Sequence, residues 1–349
     1  MNLKQLAQKL GLSQTTVSRA LNGYPEVSEA TRLRVQQAAA QHSYRPNTRA
    51  KSLATGRAMT IGHVIPVSSQ HEIVNPVFGD FIAGAGETYA RNGYDMTLSL
   101  VNDADEAQVY RTLKSEGSVD GIIVHGPRRA DPRIALLEKI GLPFVVHGRA
   151  SDVNTPYAWV DMDNFRAFRR ATEFLLDLGH RRIALVNGLE GLDFAFRRRS
   201  GYVAALAARG IDADPALMRS EEMTEVYGFD TARDMLDLPQ PPSAFLVSSM
   251  IVAIGVRRAV QDRGLRPGRE VSIFTHDDDL SYLRNGRDAP IFSATRSSVR
   301  QAGRVCADML IARIRDPAAP FGSTLLEAEL MVGQTTGPGP CPGGPRPEG

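Results

Sequence analysis

The strongest limit on the fold is an alternation that runs from residue 60 almost to the end of the chain. "IGHVIPV", "YDMTLSLV", "GIIVHG" and "PFVVHG" are short, apolar and β-branched, and helical patterns near 78–92, 105–116 and 131–140 separate them. A second set follows, "RIALVNG", "AFLVSS" and "VSIFTHDD", with helical stretches near 164–178, 196–210, 228–237, 250–264 and 298–315. Such near-continuous apolar runs read as buried parallel strands. Strand–helix repetition of this kind predicts doubly wound parallel sheets. The chain has 349 residues, more than one core organises, and the two sets predict two α/β lobes. "GAGE" at 84–87 falls inside a helical pattern, so it is not a dinucleotide fingerprint.

The first 60 residues have a different character. They hold nine Lys/Arg against two Glu, a charge of +7, so the remainder carries −5 of the total +2. A basic head on a mildly acidic body predicts a polyanionic partner. Asn2 can cap a helix, with Gln5 in capping-box position and Leu3, Leu6, Ala7 and Leu10 as a helical stripe. Gly11 suits a left-handed helix end. Ser13 can cap a second helix that buries Val17, Ala20 and Leu21 and stops at Asn22-Gly23. Ser28 can cap a third, with Val35, Ala38, Ala39 and His42 on one face. Three short helices with a tight glycine turn predict a helix-turn-helix. Its second helix enters the major groove with its N-terminus first. Gln14 then suits adenine, Thr15 a base edge or thymine methyl, and Arg19 guanine. Ser13, Thr16, Ser28 and Thr31 suit phosphates. Asn22, and Tyr44 where the head closes, are further DNA-contact candidates.

The segment "YRPNTRAKSLATGRAMTIG" follows at 44–62. Asn47 can cap a short helix that Arg49 and Lys51 make basic. So short a helix is marginal alone. Leu53 is its one large apolar side chain and suits wedging between base pairs in a minor groove.

"LAQKLGLSQTTVSRALNGYPEVSEATRLRVQQAA", followed by "YRPNTRAKSLATG", resembles the DNA-binding head and hinge of the LacI/GalR family of bacterial transcriptional repressors. The likeness continues to about residue 333. It implies an all-α helix-turn-helix head and a two-lobe, periplasmic-binding-protein-like α/β body with crossovers between lobes. It places Gln14, Thr15 and Arg19 at base-reading positions and Leu53 at the wedging leucine of the hinge. The expected division is a DNA-binding domain at 1–46, a hinge helix and linker at 47–59 and an effector-binding and dimerisation body at 60–333. The Pro/Gly-rich 334–349, "QTTGPGPCPGGPRPEG", is expected to be a disordered tail.

Small ligands of such sheets bind beyond the carboxyl ends of the strands. The resemblance assigns Arg198, in "RRRSGY", and Asp277, in "FTHDD", to the ligand pocket. Phe78, Trp159, Phe194 and Tyr282 are candidates to cover the apolar face of a ring. "VHGP" and "VVHGR" add His125, His147 and Arg149 and resemble the sugar-responsive, α-glucoside-type members. Many members carry Asn-Asp before Ala-x-Gly, where this chain has Ser249 and Met250 in "SSMIVAIG". His276 ends a strand, and His180 precedes one and reads as structural.

No nucleophile elbow, phosphate-binding loop or metal-ligand spacing is present, so neither an enzyme nor a cofactor is expected. Cys306 and Cys341 predict no disulfide. No apolar run spans a membrane and no secretory signal is visible, which predicts a bacterial cytoplasmic, nucleoid-associated protein. The expected partners are a pseudo-palindromic DNA operator, a mono- or disaccharide effector and a second copy of the chain. No C-terminal heptad repeat favours a tetramer. A purine corepressor is the alternative ligand. A solute-binding protein is the alternative class, which the basic head opposes.

Overall fold

The structure is a computed structural model and describes residues 1–21, 23–42, 44, 56–66 and 75–340. Asn22, Asn47, Arg49, Leu53 and Cys341 lie outside the described residues. The chain divides into two compact units, residues 1–59 with 117–120, and residues 60–116 with 121–349.

The first unit contains helices α1 (Leu3–Leu10), α2 (Gln14–Leu21) and α3 (Glu29–Gln41). The capping box forms: Asn2 Oδ1 accepts the Gln5 N–H at 3.0 Å and Gln5 Oε1 accepts the Asn2 N–H at 2.9 Å. Gly11 takes φ +62° and ends α1, as a residue without a Cβ readily does. Arg34 of α3 donates to the Leu10 carbonyl, which α1 itself leaves unpaired. Leu6, Val17, Ala20 and Val35 are wholly buried, and Leu21 and Tyr44 pack at the margin of this small core.

The second unit holds two six-stranded sheets among the described residues. The first lobe contains β1 (Thr60–Pro66), β2 (Asp95–Val101), β3 (Gly121–Val124), β4 (Phe144–His147), β5 (Trp159–Met162) and β11 (Ser323–Leu326). Their order is β11-β5-β4-β3-β1-β2, parallel throughout. The second lobe contains β6 (Ile183–Asn187), β7 (Met218–Ser220), β8 (Ala244–Val247), β9 (Ser272–Asp277), β10 (Ser293–Arg296) and β12 (Glu329–Met331). Their order is β12-β10-β9-β8-β6-β7, with β12 alone antiparallel. Helices α4 (Pro76–Asn92), α5 (Glu106–Ser115), α6 (Pro132–Ile140) and α11 (Val299–Arg315) belong to the first lobe. Helices α7 (Asn164–Asp177), α8 (Asp193–Ala207), α9 (Glu225–Leu236) and α10 (Met250–Asp262) belong to the second.

The chain crosses between lobes after β5, after β10 and after β11. The Asp163 N–H donates to the Leu326 carbonyl at 2.9 Å and ties the first crossover to the third. "GAGE" lies inside α4 as expected, and it has a packing role. A Cβ on Gly84 would stand 2.0 Å from the Arg300 carbonyl oxygen, so α4 and α11 meet backbone to backbone.

Two expectations need correction. β2 was expected to be buried, but it is a sheet edge, and Met96, Leu98 and Leu100 are 43%, 43% and 55% exposed. Residues 334–340 are not a disordered tail. Thr335 is buried; its Oγ1 donates to the Ile273 carbonyl and its carbonyl accepts the Ile273 N–H, both at 2.7 Å. The Gly337 N–H donates to Ser272 Oγ at 3.0 Å. His180 bonds Ser243 Oγ and Ser272 Oγ, each at 2.9 Å, and the Gly337 carbonyl at 3.1 Å. Backbone pairing beside β9 holds this stretch, and such pairing needs no apolar period. Residues 341–349 lie outside the described residues.

Candidate DNA-reading surface and ligand cleft

Helix α2 turns Val17 and Ala20 inward and leaves Gln14, Thr15 and Arg19 exposed. At 100° per residue those three share one side of the helix, opposite the buried pair. The same hydroxyl arrangement opens both α2 and α3. Ser13 Oγ accepts the Thr16 N–H at 3.0 Å and lies 2.8 Å from Thr16 Oγ1. Ser28 Oγ accepts the Thr31 N–H at 3.4 Å and lies 2.9 Å from Thr31 Oγ1. The caps fix the first turns, so the exposed side chains of α2 project from a rigid start. Tyr44 is half-buried and packs under the helices.

Between the two lobes lies a cleft of about 920 Å3. It opens where strands end: His125 and His147 leave β3 and β4, Asp161 lies on β5, Ser248 leaves β8, and His276 and Asp278 leave β9. Arg198 on α8 is 6% exposed and enters from the second lobe. Its Nε donates to Asn164 Oδ1 at 2.7 Å and its Nη1 to the Ser248 carbonyl at 2.6 Å. Its guanidinium carbon lies 4.9 Å from the Phe168 ring centroid and 5.0 Å from that of Phe194. Burial lowers the arginine to about 10, still charged at neutral pH. Burial raises the Asp278 carboxyl, but His276, Arg198 and His147 outweigh it and hold the group below the usual carboxylate range. His276 Nε2 lies 3.4 Å from Asp278 Oδ1.

The first-lobe wall is largely aromatic, with Phe78, Phe81, His125 and His147, and carries Arg128 and Asp161 beside them. His63 Nδ1 lies 2.9 Å from His125 Nε2, and His63 Nε2 lies 3.1 Å from the Tyr89 hydroxyl. Phe81 faces His147 with ring centroids 4.3 Å apart. Burial pushes His63 down to about 3 and His147 to about 4. His125 falls well below its ordinary value through burial and then through His63 and His147. His125 and His147, which line the cleft, are therefore neutral donors and acceptors, and His63 stands behind them. The lobes also touch beside the cleft: Asp80 accepts the Ser281 N–H at 2.7 Å and hydroxyl at 2.8 Å, and the Asp193 N–H donates to the Pro127 carbonyl at 2.9 Å.

The cleft brings together Phe78, His125, His147, Phe194 and Arg198 from the expected set. Five others stand elsewhere. Asp277 is not among the cleft residues; its Oδ1 accepts the Asp279 N–H at 2.9 Å, and Asp278 lines the cleft instead. The reason is the pleat, which puts residues 276 and 278 on one face and 277 on the other. Ser249 caps α10 through the Val252 N–H at 3.3 Å, and Ser248 faces the cleft instead. Arg149 and Trp159 line a separate, smaller pocket. Tyr282 is 89% exposed and is not a cleft residue. Asn164, which lines the cleft, was missed, for nothing local in the sequence sets it apart. Alternation along "FTHDD" was the available signal for Asp278.

A model of the bacterial regulatory proteins of the LacI family matches residues 2–47, and a periplasmic binding protein-like domain matches residues 172–336. The transcriptional regulator AglR of Rhizobium meliloti (strain 1021) is 43% identical over 340 residues, covering 97% of this chain and 95% of AglR. The chain belongs to the LacI family. As a LacI-family protein it is a DNA-binding transcriptional regulator and not an enzyme. Its structure is similar to that of a CelR–cellobiose complex, with a TM-score of 0.71, 28% identity, and coverage of 96% of this chain and 99% of that one. It is also similar to a lac repressor dimer bound to operator and the anti-inducer ONPF, with a TM-score of 0.81, 25% identity, and coverage of 97% and 99%. The LacI-family body thus has the periplasmic-binding-protein-like fold that the resemblance implies, built from the doubly wound sheets that the strand–helix alternation predicts. No helix among the described residues is long and apolar enough to cross a membrane.

Proposed function

We propose that this regulator is a cytoplasmic, nucleoid-associated homodimeric repressor, and that a mono- or disaccharide bound in the inter-lobe cleft lowers its affinity for a pseudo-palindromic operator. The observation that carries the reading is the cleft's composition. A desolvated Arg198 and a charged Asp278 sit opposite Phe78, Phe81 and neutral imidazoles. Carboxylate and guanidinium forks suit vicinal hydroxyls, and the rings suit the apolar faces of a pyranose. The volume of about 920 Å3 lies near the top of the usual range for small-ligand sites and admits two sugar rings. The cellobiose complex of the similar CelR structure supports the same ligand class.

Gln14, Thr15 and Arg19 read the half-site, and Ser13, Thr16, Ser28 and Thr31 steady the backbone around them. Asn22 adds to that contact, and Asn47, Arg49 and Leu53 of the hinge extend it into the central minor groove. Dimerisation uses the bare face of β2, where Met96, Leu98 and Leu100 present an apolar row to solvent on a sheet edge. Leu100→Glu should convert the dimer to monomer in sedimentation, and an unchanged dimer would exclude this face. Closing the lobes on a sugar turns them about the three crossovers. A coupling of about 1–3 kcal/mol changes DNA affinity roughly 5–150-fold.

The ligand class is tested by calorimetric titration of the full chain with mono- and disaccharides and purines. Saturable binding of one sugar is expected. Binding of a purine and no sugar would replace the reading with a corepressor.

A further inference from the structure

A second concave site of about 370 Å3 lies outside the ligand cleft. Its walls include Arg149, Thr155, Trp159 and Ser323 from the first lobe and Arg197, on α8, from the second. Arg149 donates through Nε to Asp161 at 2.7 Å, and Arg197 donates through Nε to Asp193 at 2.7 Å. Among the described residues, the terminal nitrogens of both guanidiniums make no further hydrogen bond. The two carboxylate side chains are 5% and 1% exposed, and the arginine side chains 20% and 22%. Each carboxylate is therefore buried behind its arginine, and the pocket is offered the positive ends. The Arg149 guanidinium is also steadied over the Trp159 ring, 4.9 Å from its centroid. Asp161 itself lines the ligand cleft, so the Arg149–Asp161 pair separates the two cavities.

We propose that this pocket is a second ligand site, and that it takes a small phosphate-bearing anion. Two guanidinium forks, with the Thr155 and Ser323 hydroxyls beside them, supply more donors than a carboxylate has lone pairs to use, and they suit the three open oxygens of a phosphate group. Arg149 and Arg197 come from different lobes, so one anion bonds to both lobes at once. It would then set the spacing between them beside the cleft and, by reciprocity, alter the affinity of the cleft ligand.

Trp159 is the chain's single tryptophan, so intrinsic fluorescence reads this pocket directly. The full-length protein is titrated with inorganic phosphate, with glycerol phosphate and with glycerol, against sodium chloride at matched ionic strength. Saturable change with inorganic phosphate assigns the site to free phosphate. Saturation with glycerol phosphate alone assigns it to phosphate esters. Ser323 is exposed, and its side chain makes no hydrogen bond among the described residues. Ser323→Asp therefore adds a carboxylate at the pocket without removing a contact, and should weaken the midpoint about tenfold or more. Ser323→Asn should leave it nearly unchanged. The proposal is overturned if phosphate and glycerol phosphate act no differently from chloride, if glycerol matches its phosphate, or if Ser323→Asp leaves the midpoint where it was.

Discussion

Asp278 and its neighbour Asp277 make the sharpest contrast at the scale of single residues. One lines the cleft on the same lobe as Arg198, whose charge helps to keep it ionised, and the side chain of the other bonds only a backbone N–H. A hydrogen bond to a charged group contributes about 1.5–3 kcal/mol. Asp278→Asn should therefore weaken sugar binding about 10- to 100-fold, and Asp277→Asn by less than about twofold. The reverse order in calorimetry would put the pleat the other way round. Arg198 was legible in the sequence because it lies three residues before a glycine in a family pattern. The aspartate was placed one residue early, and one residue is a change of face. The buried histidines bring pH into the account. His63 titrates near 3 in the folded chain, against 6.5 for an exposed imidazole, because burial disfavours its charged form. The unfolded chain thus takes up protons first. The stability from this group is complete above pH 6.5 and is lost as pH falls from there toward 3. The slope approaches about 1.4 kcal/mol per pH unit for one group. Urea unfolding at about pH 7.5 and about pH 5 should show wild type losing more stability than His63→Gln does over the same interval. Equal losses would mean that His63 does not titrate in this way.

At the scale of elements, the packing of α4 against α11 makes two glycines of one motif behave oppositely. Gly84 faces the Arg300 carbonyl, where an added Cβ has no room. Gly86, two residues on, has nothing within 4 Å of that position. Gly84→Ala should destabilise the body by about 1–3 kcal/mol, through overpacking. Gly86→Ala should stabilise it by about 0.5–1 kcal/mol, through helix propensity. Chemical denaturation of the two variants checks both signs. Helices were easy to read because their apolar stripes and caps are local, as at Asn2, Ser13 and Ser28. Long apolar strands such as β1 and β9 were equally plain. "WVDM", "SATR" and "STLL" were missed, because four residues with mixed polarity carry no period and become strands only by pairing in register with their neighbours. The ordering of 334–340 was hidden for the same reason, since Thr335 and Gly337 are held by bonds to β9 and His180. The alternation of β2 was visible, but only the sheet order shows that one of its faces is bare.

At the scale of the whole molecule, charge and cleft divide the labour. The basic head, at +7, supplies the non-specific attraction to phosphates, and the −5 remainder limits it. In the proposed function, specificity rests on a few exposed side chains of α2, and control rests on the cleft between the two lobes. No large energy is needed, because about 1.4 kcal/mol is already tenfold in affinity. The most direct test is fluorescence anisotropy of the full chain on a labelled palindromic operator, with increasing salt and then with the sugar found by calorimetry. Binding should fall steeply with salt, the sugar should release the operator by about fivefold or more, and the Asp278→Asn variant should need about 10- to 100-fold more sugar for the same release. Operator affinity that ignores both salt and the bound sugar would contradict it.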